Sequence, residues 1–413
     1  MERDFRLFWI GQMTSSAGST FSSVALPLVA VGYLGANGTE TGLLAAAGSI
    51  GLLLFGLPIG SFVDRLRRKR PLLIAGDLIA ALALAALAAL LATGTGRALG
   101  ITALVAFAMT IGVLGLFVEA AYFTHLRSVV PGDGLVPARA RLQAGEYAGG
   151  VLGRVLVGPA TALAGVAAPF LIDAATYLVS AGTLLLIRSR ETVRDRRSPA
   201  ETETAGPRGG LTALGHDPFT RSLIGYLLLS AAVSGMTGAL TAPFLLRVLH
   251  IPALWYGSLF LLVGIAGTAG SVLAGRLSKR LTATRLCVLG FGCASGTAVL
   301  LPLAAGPLWS AAAVAAIAIA LPTFFGALSN AGFTAHVTTQ VPVDLLGRAV
   351  IALHMCSAVA TTAGALAAGA LADLIGTRTC LWAVAVISTG AVALLIPARR
   401  HAQSPVPAQE VRA

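Results

Sequence analysis

Five ionisable residues, Asp77, Glu119, Glu146, Arg154 and Asp173, stand inside long apolar runs, all in the first half of the chain. A charge held in hydrocarbon costs roughly 2.5–3.5 kcal/mol on insertion scales, so such residues mark ion or substrate pathways. Their chemistry is proton or cation binding and mutual pairing. Glu119 leads as a protonation site, about 12 Å from the nearer end of its run at ~1.5 Å per residue. Glu146 and Arg154 fall on one helical face two turns apart, and Arg154 has Glu119 or an anionic substrate as other partners. Asp77 completes this proton-coupling set, with a structural anchor to Arg65 or Arg70 as its alternative. Asp173 reads as a packing residue, against the third run or an outer loop.

The runs that carry these charges place the chain in a bilayer. Of 413 residues, 56% are hydrophobic and 11% are charged, against about 25% charged in soluble domains. A span needs ~20 apolar residues, and the pattern predicts twelve, at 6–33, 40–62, 71–93, 99–127, 140–164, 168–188, 219–247, 254–275, 284–305, 309–340, 348–371 and 378–397. The outer loops of this arrangement hold Arg97, Arg247 and Arg378, and Arg154 lies in a span; every other Lys and Arg falls on the side of the termini. Cations favour the cytoplasmic side, so both termini are expected there, in a multi-pass protein of the cell membrane. The net charge of +12 therefore serves topology rather than nucleic-acid binding. The four cysteines show no metal spacing and there is no GxxxxGK[ST] loop, so no metal, cofactor or ATP site is expected. The loops lack any His/Asp/Glu or Ser/His arrangement, which argues against an enzyme.

Residues 189–214 are charged, Pro/Gly-bearing and without apolar periodicity, and read as a cytoplasmic linker. They separate a six-span bundle at 1–188 from a second at 215–400, with a tail at 401–413. The halves echo each other at an offset near 210 residues: Gly60-Ser61 and Lys69-Arg70 recur as Gly270-Ser271 and Lys279-Arg280. Val130-Pro131 likewise recurs as Val341-Pro342. Such periodicity signals an internal repeat.

The stretch Gly60–Arg70, GSFVDRLRRKR, reads as a tight loop and resembles the loop between spans two and three of major facilitator transporters. Four further segments, FRLFWIGQMTSSAGSTFSSVALPLVAV, FLIDAATYLVSA, VPGDGLVPARARLQA and VPVDLLGRAVIAL, resemble the drug:proton antiporter branch that contains macrolide and siderophore exporters. Span five departs from the antiporter pattern: Gly145 and Gly158-Pro159 fit, whereas Arg154 and Ala162-Leu163 replace glycines. The resemblance implies an all-α membrane fold of two six-helix bundles in which spans one, four, seven and ten line a central cavity. It places Gln12, Ser16, Glu119, Tyr122, Ser234, Thr237 and Asn330 there. The stripe Ser230, Ser234, Thr237, Thr241 has helical spacing. Gly60, Asp64, Arg65, Arg68 and Lys69 become a conformational latch, with Asp64 capping span eleven near Arg348. The function implied is proton-coupled export of a drug-like or siderophore-like molecule by a monomer, through alternating access. A uniporter or importer of a metabolite or lipid is the other reading.

Overall fold

In the computed structural model, which describes residues 2–65, 69–94, 97–129, 135–188, 218–340 and 343–395, the apolar runs become twelve helical elements. The first six are α1 (Glu2–Gly32), α2 (Gly38–Arg65), α3 (Arg70–Ala92), α4 (Arg97–Val129), α5 (Leu135–Ala164) and α6 (Ala168–Leu186). After them, α7 (Pro218–Pro243) continues into a π turn at Phe244–Val248. The next element, α8, is built from Ala253–Tyr256, a 3-10 turn at Gly257–Phe260 and Leu261–Leu277. In α9 a 3-10 turn at Thr297–Val299 joins Ala283–Gly296 to Leu300–Leu303. The last three are α10 (Leu308–Gln340), α11 (Val343–Ile375) and α12 (Thr377–Ala391), whose end is a 3-10 turn at Val392–Leu395. The linker 189–214, the tail 401–413 and the Val130-Pro131 and Val341-Pro342 anchors lie outside the described residues.

Ten of these elements contain a stretch long and apolar enough to cross a membrane; α1 is not among them, and α5 offers only the shorter Ala148–Ala164. Position explains this. Helix α1 packs along both α5 and α6, so Ser, Thr and Gly on it meet protein rather than lipid. Small residues are what let transmembrane backbones approach.

The repeat anticipated from sequence is visible in the packing. Helix α1 lies on α5 as α7 lies on α11, and α2 lies on α4 as α8 lies on α10. The two bundles meet crosswise, α2 against α11 and α5 against α8. An even number of spans puts both termini on one side of the membrane. At the other, far side the bundles close on each other through glycine. A Cβ at Gly158 would strike the Leu254 carbonyl, and one at Gly257 would strike the Arg154 carbonyl. The 3-10 turn at Gly257–Phe260, which interrupts the continuous span expected at 254–275, sits at this approach. Towards the terminal side the same stripe of α8 continues as Thr268, Ser271 and Gly275, all exposed.

A second departure concerns Gly60–Arg70. Helix α2 runs on through Arg65 and α3 begins at Arg70, so Gly60, Asp64 and Arg65 are helical, not part of a tight loop. Their side chains, and Arg68 altogether, lie outside the described residues. Lys69 is buried at the N-cap of α3.

The clasp that the structure displays is at the far side. Asp373, near the end of α11, accepts hydrogen bonds from the backbone N–H of Gly38 (2.6 Å) and Thr39 (2.8 Å) and from the Thr39 hydroxyl (2.7 Å). It thus caps the N-terminus of α2 across the bundle boundary, where free N–H groups and the helix dipole favour an anion. Arg247, at the end of α7, donates to the Val31 carbonyl at 3.3 Å and tightens the same rim. Asp373→Ala should shift the far-side opening equilibrium by ~1 kcal/mol, the usual worth of a cap, or about fivefold. The measurement is far-side alkylation of a cysteine placed at the buried Thr41, with the native cysteines replaced; an unchanged rate would contradict the clasp.

Candidate functional site

Three adjoining cavities follow α1 through the molecule. The innermost of the N-terminal bundle, about 280 Å³, is lined by Gln12, Ser16, Asp77 and Glu146 together with Ser19 and Tyr177. Sequence spacing had singled out the first four from three different spans, and the fold brings them together. A second cavity, about 390 Å³, shares Ser19 and Tyr177 with the first and reaches Asp173, Ser22 and Ser23. The third, about 520 Å³, opens from Ser23 and Pro27 into the C-terminal bundle.

Hydroxyls on α1 and α6 build the first two. The Ser19 hydroxyl meets the Tyr177 hydroxyl at 3.1 Å, and the Ser16 hydroxyl donates to the Glu146 carbonyl at 3.1 Å. Asp173 is 1% exposed; it accepts a hydrogen bond from Ser22 on one oxygen and from Thr176, at 3.2 Å, on the other. Gly18 makes this possible, because a Cβ there would collide with both the Thr176 hydroxyl and the Asp173 carboxylate. Asp173 therefore packs on α1, not on α3 or an outer loop as its position in sequence suggested. Asp77 is also buried, at 6% exposure. Ser180 of α6 stands beside the Asp77 carboxylate, and Oδ2, sealed from solvent, has no hydrogen-bond partner. Arg70, one of its two expected anchors, instead donates to the Leu185 carbonyl at 2.7 Å.

The remaining acids and the arginine distribute differently. Glu119 and Tyr122 are on α4, with side chains outside the described residues. Arg154 is half-buried, with its guanidinium folded back along α5 towards Gly150. Among the described residues no carboxylate pairs with it.

The third cavity is walled by α7, α8, α9, α10 and α12 as well as α1. Ser230, Ser234, Thr237 and Thr241 line it, as do Tyr226, Tyr256, Phe260 and Phe291. Among the described residues no lining residue is charged. Ser234 is exposed into it, while the Tyr226 hydroxyl is held between Ser295 Oγ and the Phe291 carbonyl, each at 2.9 Å. Asn330 is exposed one turn beyond Gly326 and is not part of the lining. Sequence reasoning did not assign Asp173 or Tyr177 to a site; their helical spacing with Ser180 on one face of α6 was the available signal.

A model of the Major Facilitator Superfamily matches residues 8–321. The chain belongs to that superfamily. Among curated proteins no sequence matches it. Solved structures agree on the fold of this superfamily member. A point mutant of the nucleoside transporter NupG superposes with TM-score 0.79 at 12% identity, covering 95% of this chain and 99% of its own. A bacterial homologue of the human lysosomal transporter Spinster, inward-facing and unoccupied, gives 0.72 at 16% identity over 98% and 99%. A bacterial homologue of the iron transporter ferroportin gives 0.73 at 17% identity in its inward-facing state, over 96% and 98%. In its outward-facing state it gives 0.61 at 18% identity, over 95% and 97%. The fold is that of a membrane transporter, not of an enzyme.

The hydrogen bonding around Asp173 makes a direct stability test. Ser22→Ala leaves one buried carboxylate oxygen without its donor, which should cost ~1–3 kcal/mol and lower the unfolding midpoint in detergent. Ser23→Ala, one residue on but exposed, should change stability by less than about 0.5 kcal/mol. Equal midpoints for the two variants would contradict the assigned contact.

Proposed function

We propose that this superfamily member is a secondary active exporter that moves an uncharged, amphipathic small molecule and is driven by protons. The observation that carries the reading is the 520 Å³ cavity, whose lining combines hydroxyls and aromatic rings with no formal charge. Ligand sites of ~300–1,000 Å³ with mostly apolar walls and a few placed polar groups are the usual form for drug-sized molecules. An ionic substrate would find nothing there to compensate its charge. The acids that could couple transport to an ion lie apart, in the N-terminal bundle, with Asp77 and Glu146 on one cavity and Glu119 further along α4. Alternating access would rock the two bundles about α1. The far-side glycine seam and the Asp373 clasp, with Thr268, Ser271 and Gly275 of α8 exposed towards the terminal side, support a state open towards the termini. The better superposition on the inward-facing than the outward-facing ferroportin homologue, 0.73 against 0.61, agrees with that state.

Export direction and the drug-like or siderophore-like class come from the resemblance of the first and sixth spans to that antiporter branch. A nucleoside is the second reading, because it too is uncharged, with hydroxyls and a flat ring, and NupG is a nucleoside transporter of the same fold. Both are tested in inverted membrane vesicles under an imposed pH gradient, with uncharged antibiotics, metal-free siderophores and nucleosides in parallel. A transported compound should accumulate only with the gradient. Ser234→Trp, which fills the cavity, should reduce uptake by roughly tenfold or more, equivalent to 1.4 kcal/mol of lost binding. Uptake indifferent to the gradient would overturn proton coupling, and uptake indifferent to Ser234→Trp would overturn the cavity assignment.

A further inference from the structure

We propose that Asp77 and Asp173 are the two stations of a proton path through the N-terminal bundle, running behind α1 and separate from the substrate cavity. The proposal deepens the transport reading and rests on it.

The two carboxylates are staggered across the membrane. Asp77 lies about 10 Å into α3 from the terminal side, and Asp173 about 8 Å into α6 from the far side, at ~1.5 Å per residue. Between them hydroxyls of α1 and α6 follow one another, hydrogen-bonded at Tyr177–Ser19 and at Ser22–Asp173. Ser180 contacts Asp77. Tyr177, one turn along α6 from Ser180, meets Ser19 at 3.1 Å. Ser22, one turn along α1 from Ser19, donates to Asp173. Tyr177 and Ser19 also belong to both cavities, so the line has space on either side of it. At one end is an unpartnered oxygen, Asp77 Oδ2, on a residue buried to 6% exposure and facing the 280 Å³ cavity. A buried carboxylate oxygen with no donor is an open position for a proton.

The ionisable surroundings are sparse. From α5 the site faces Glu146, and from α6 Tyr177; Arg154, on the same helix as Glu146, lines neither cavity. The described linings contributed by α1, α2, α4 and α7 contain none; the Glu119 side chain lies outside the described residues. Among the described residues no cation closes on either aspartate, so a proton is what can neutralise them in place. In the transfer, a proton from the far side bonds to Asp173. Each hydroxyl along the line takes one proton and gives one up, and Asp77 Oδ2 receives the last before releasing it towards the terminal side. Only hydrogen ions move, and no heavy-atom bond changes.

The test is pH-difference infrared spectroscopy on the purified full chain in lipid, taken from mildly alkaline to mildly acidic pH. Two protonated-carboxyl C=O stretches should appear on acidification, one lost in Asp77→Asn and the other in Asp173→Asn. Asp77→Glu and Asp173→Glu should each shift a band without removing it, which separates loss of the group from loss of the fold. Glu146→Gln should leave both bands. Bands unchanged by either asparagine variant, or bands that respond to sodium at fixed pH, would overturn the path. No substrate is needed, so absent bands sink the path alone, whereas bands present beside gradient-insensitive transport sink the coupling reading.

Discussion

A carboxylate buried in a membrane protein has to be met by hydroxyls, by a cation or by a proton, because lipid offers it nothing. Much of the N-terminal bundle can be understood as an answer to that constraint. Helix α1 carries Ser15, Ser16, Ser19, Ser22 and Ser23 because it stands between the acids and the other bundle. Gly18 brings α6 close enough for Asp173 to reach Ser22. The C-terminal bundle, with no acid among the described residues of its cavity, is lined by hydroxyls and aromatic rings. The asymmetry between two halves that share one packing plan is an asymmetry of charge.

The second constraint is that the bundles must be able to separate. They are joined where backbones touch backbones, at Gly158 and Gly257 and at Gly42 and Gly369, with Asp373 capping α2 at the rim. The interlocking side chains are those of Leu28 and Val31 on α1, buried in one cluster with Leu240, Phe244 and Leu245, and separating the bundles has to break both kinds of contact. Because α1 borders all three cavities, it links the acids of the N-terminal bundle directly to the cavity of the C-terminal one.

Much of this was legible in the sequence. The apolar runs, the sign and place of the cations, and the repeat of Gly60-Ser61 at Gly270-Ser271 were sufficient for twelve spans in two bundles. Gln12, Ser16, Asp77 and Glu146 stood out because each is a polar group in an apolar stretch. What escaped was anything that depends on a distant partner. Ser22 is 151 residues from Asp173, and Asp373 is 335 residues from Gly38; no local pattern links either pair. The breaks in α8 and α9 were also hidden, since hydrophobic periodicity does not register a 3-10 turn, and Gly257 acquires its role only when the Arg154 carbonyl arrives against it.

The central claim is that the ion is handled by the N-terminal bundle and the substrate by the C-terminal cavity. Counterflow, the exchange of labelled for unlabelled substrate with no gradient, separates the two most directly when compared with gradient-driven accumulation in the same proteoliposomes. In a variant carrying Asp77→Asn and Asp173→Asn, accumulation should be lost while counterflow continues. Loss of both in a folded, lipid-inserted protein, or survival of both, would contradict the division.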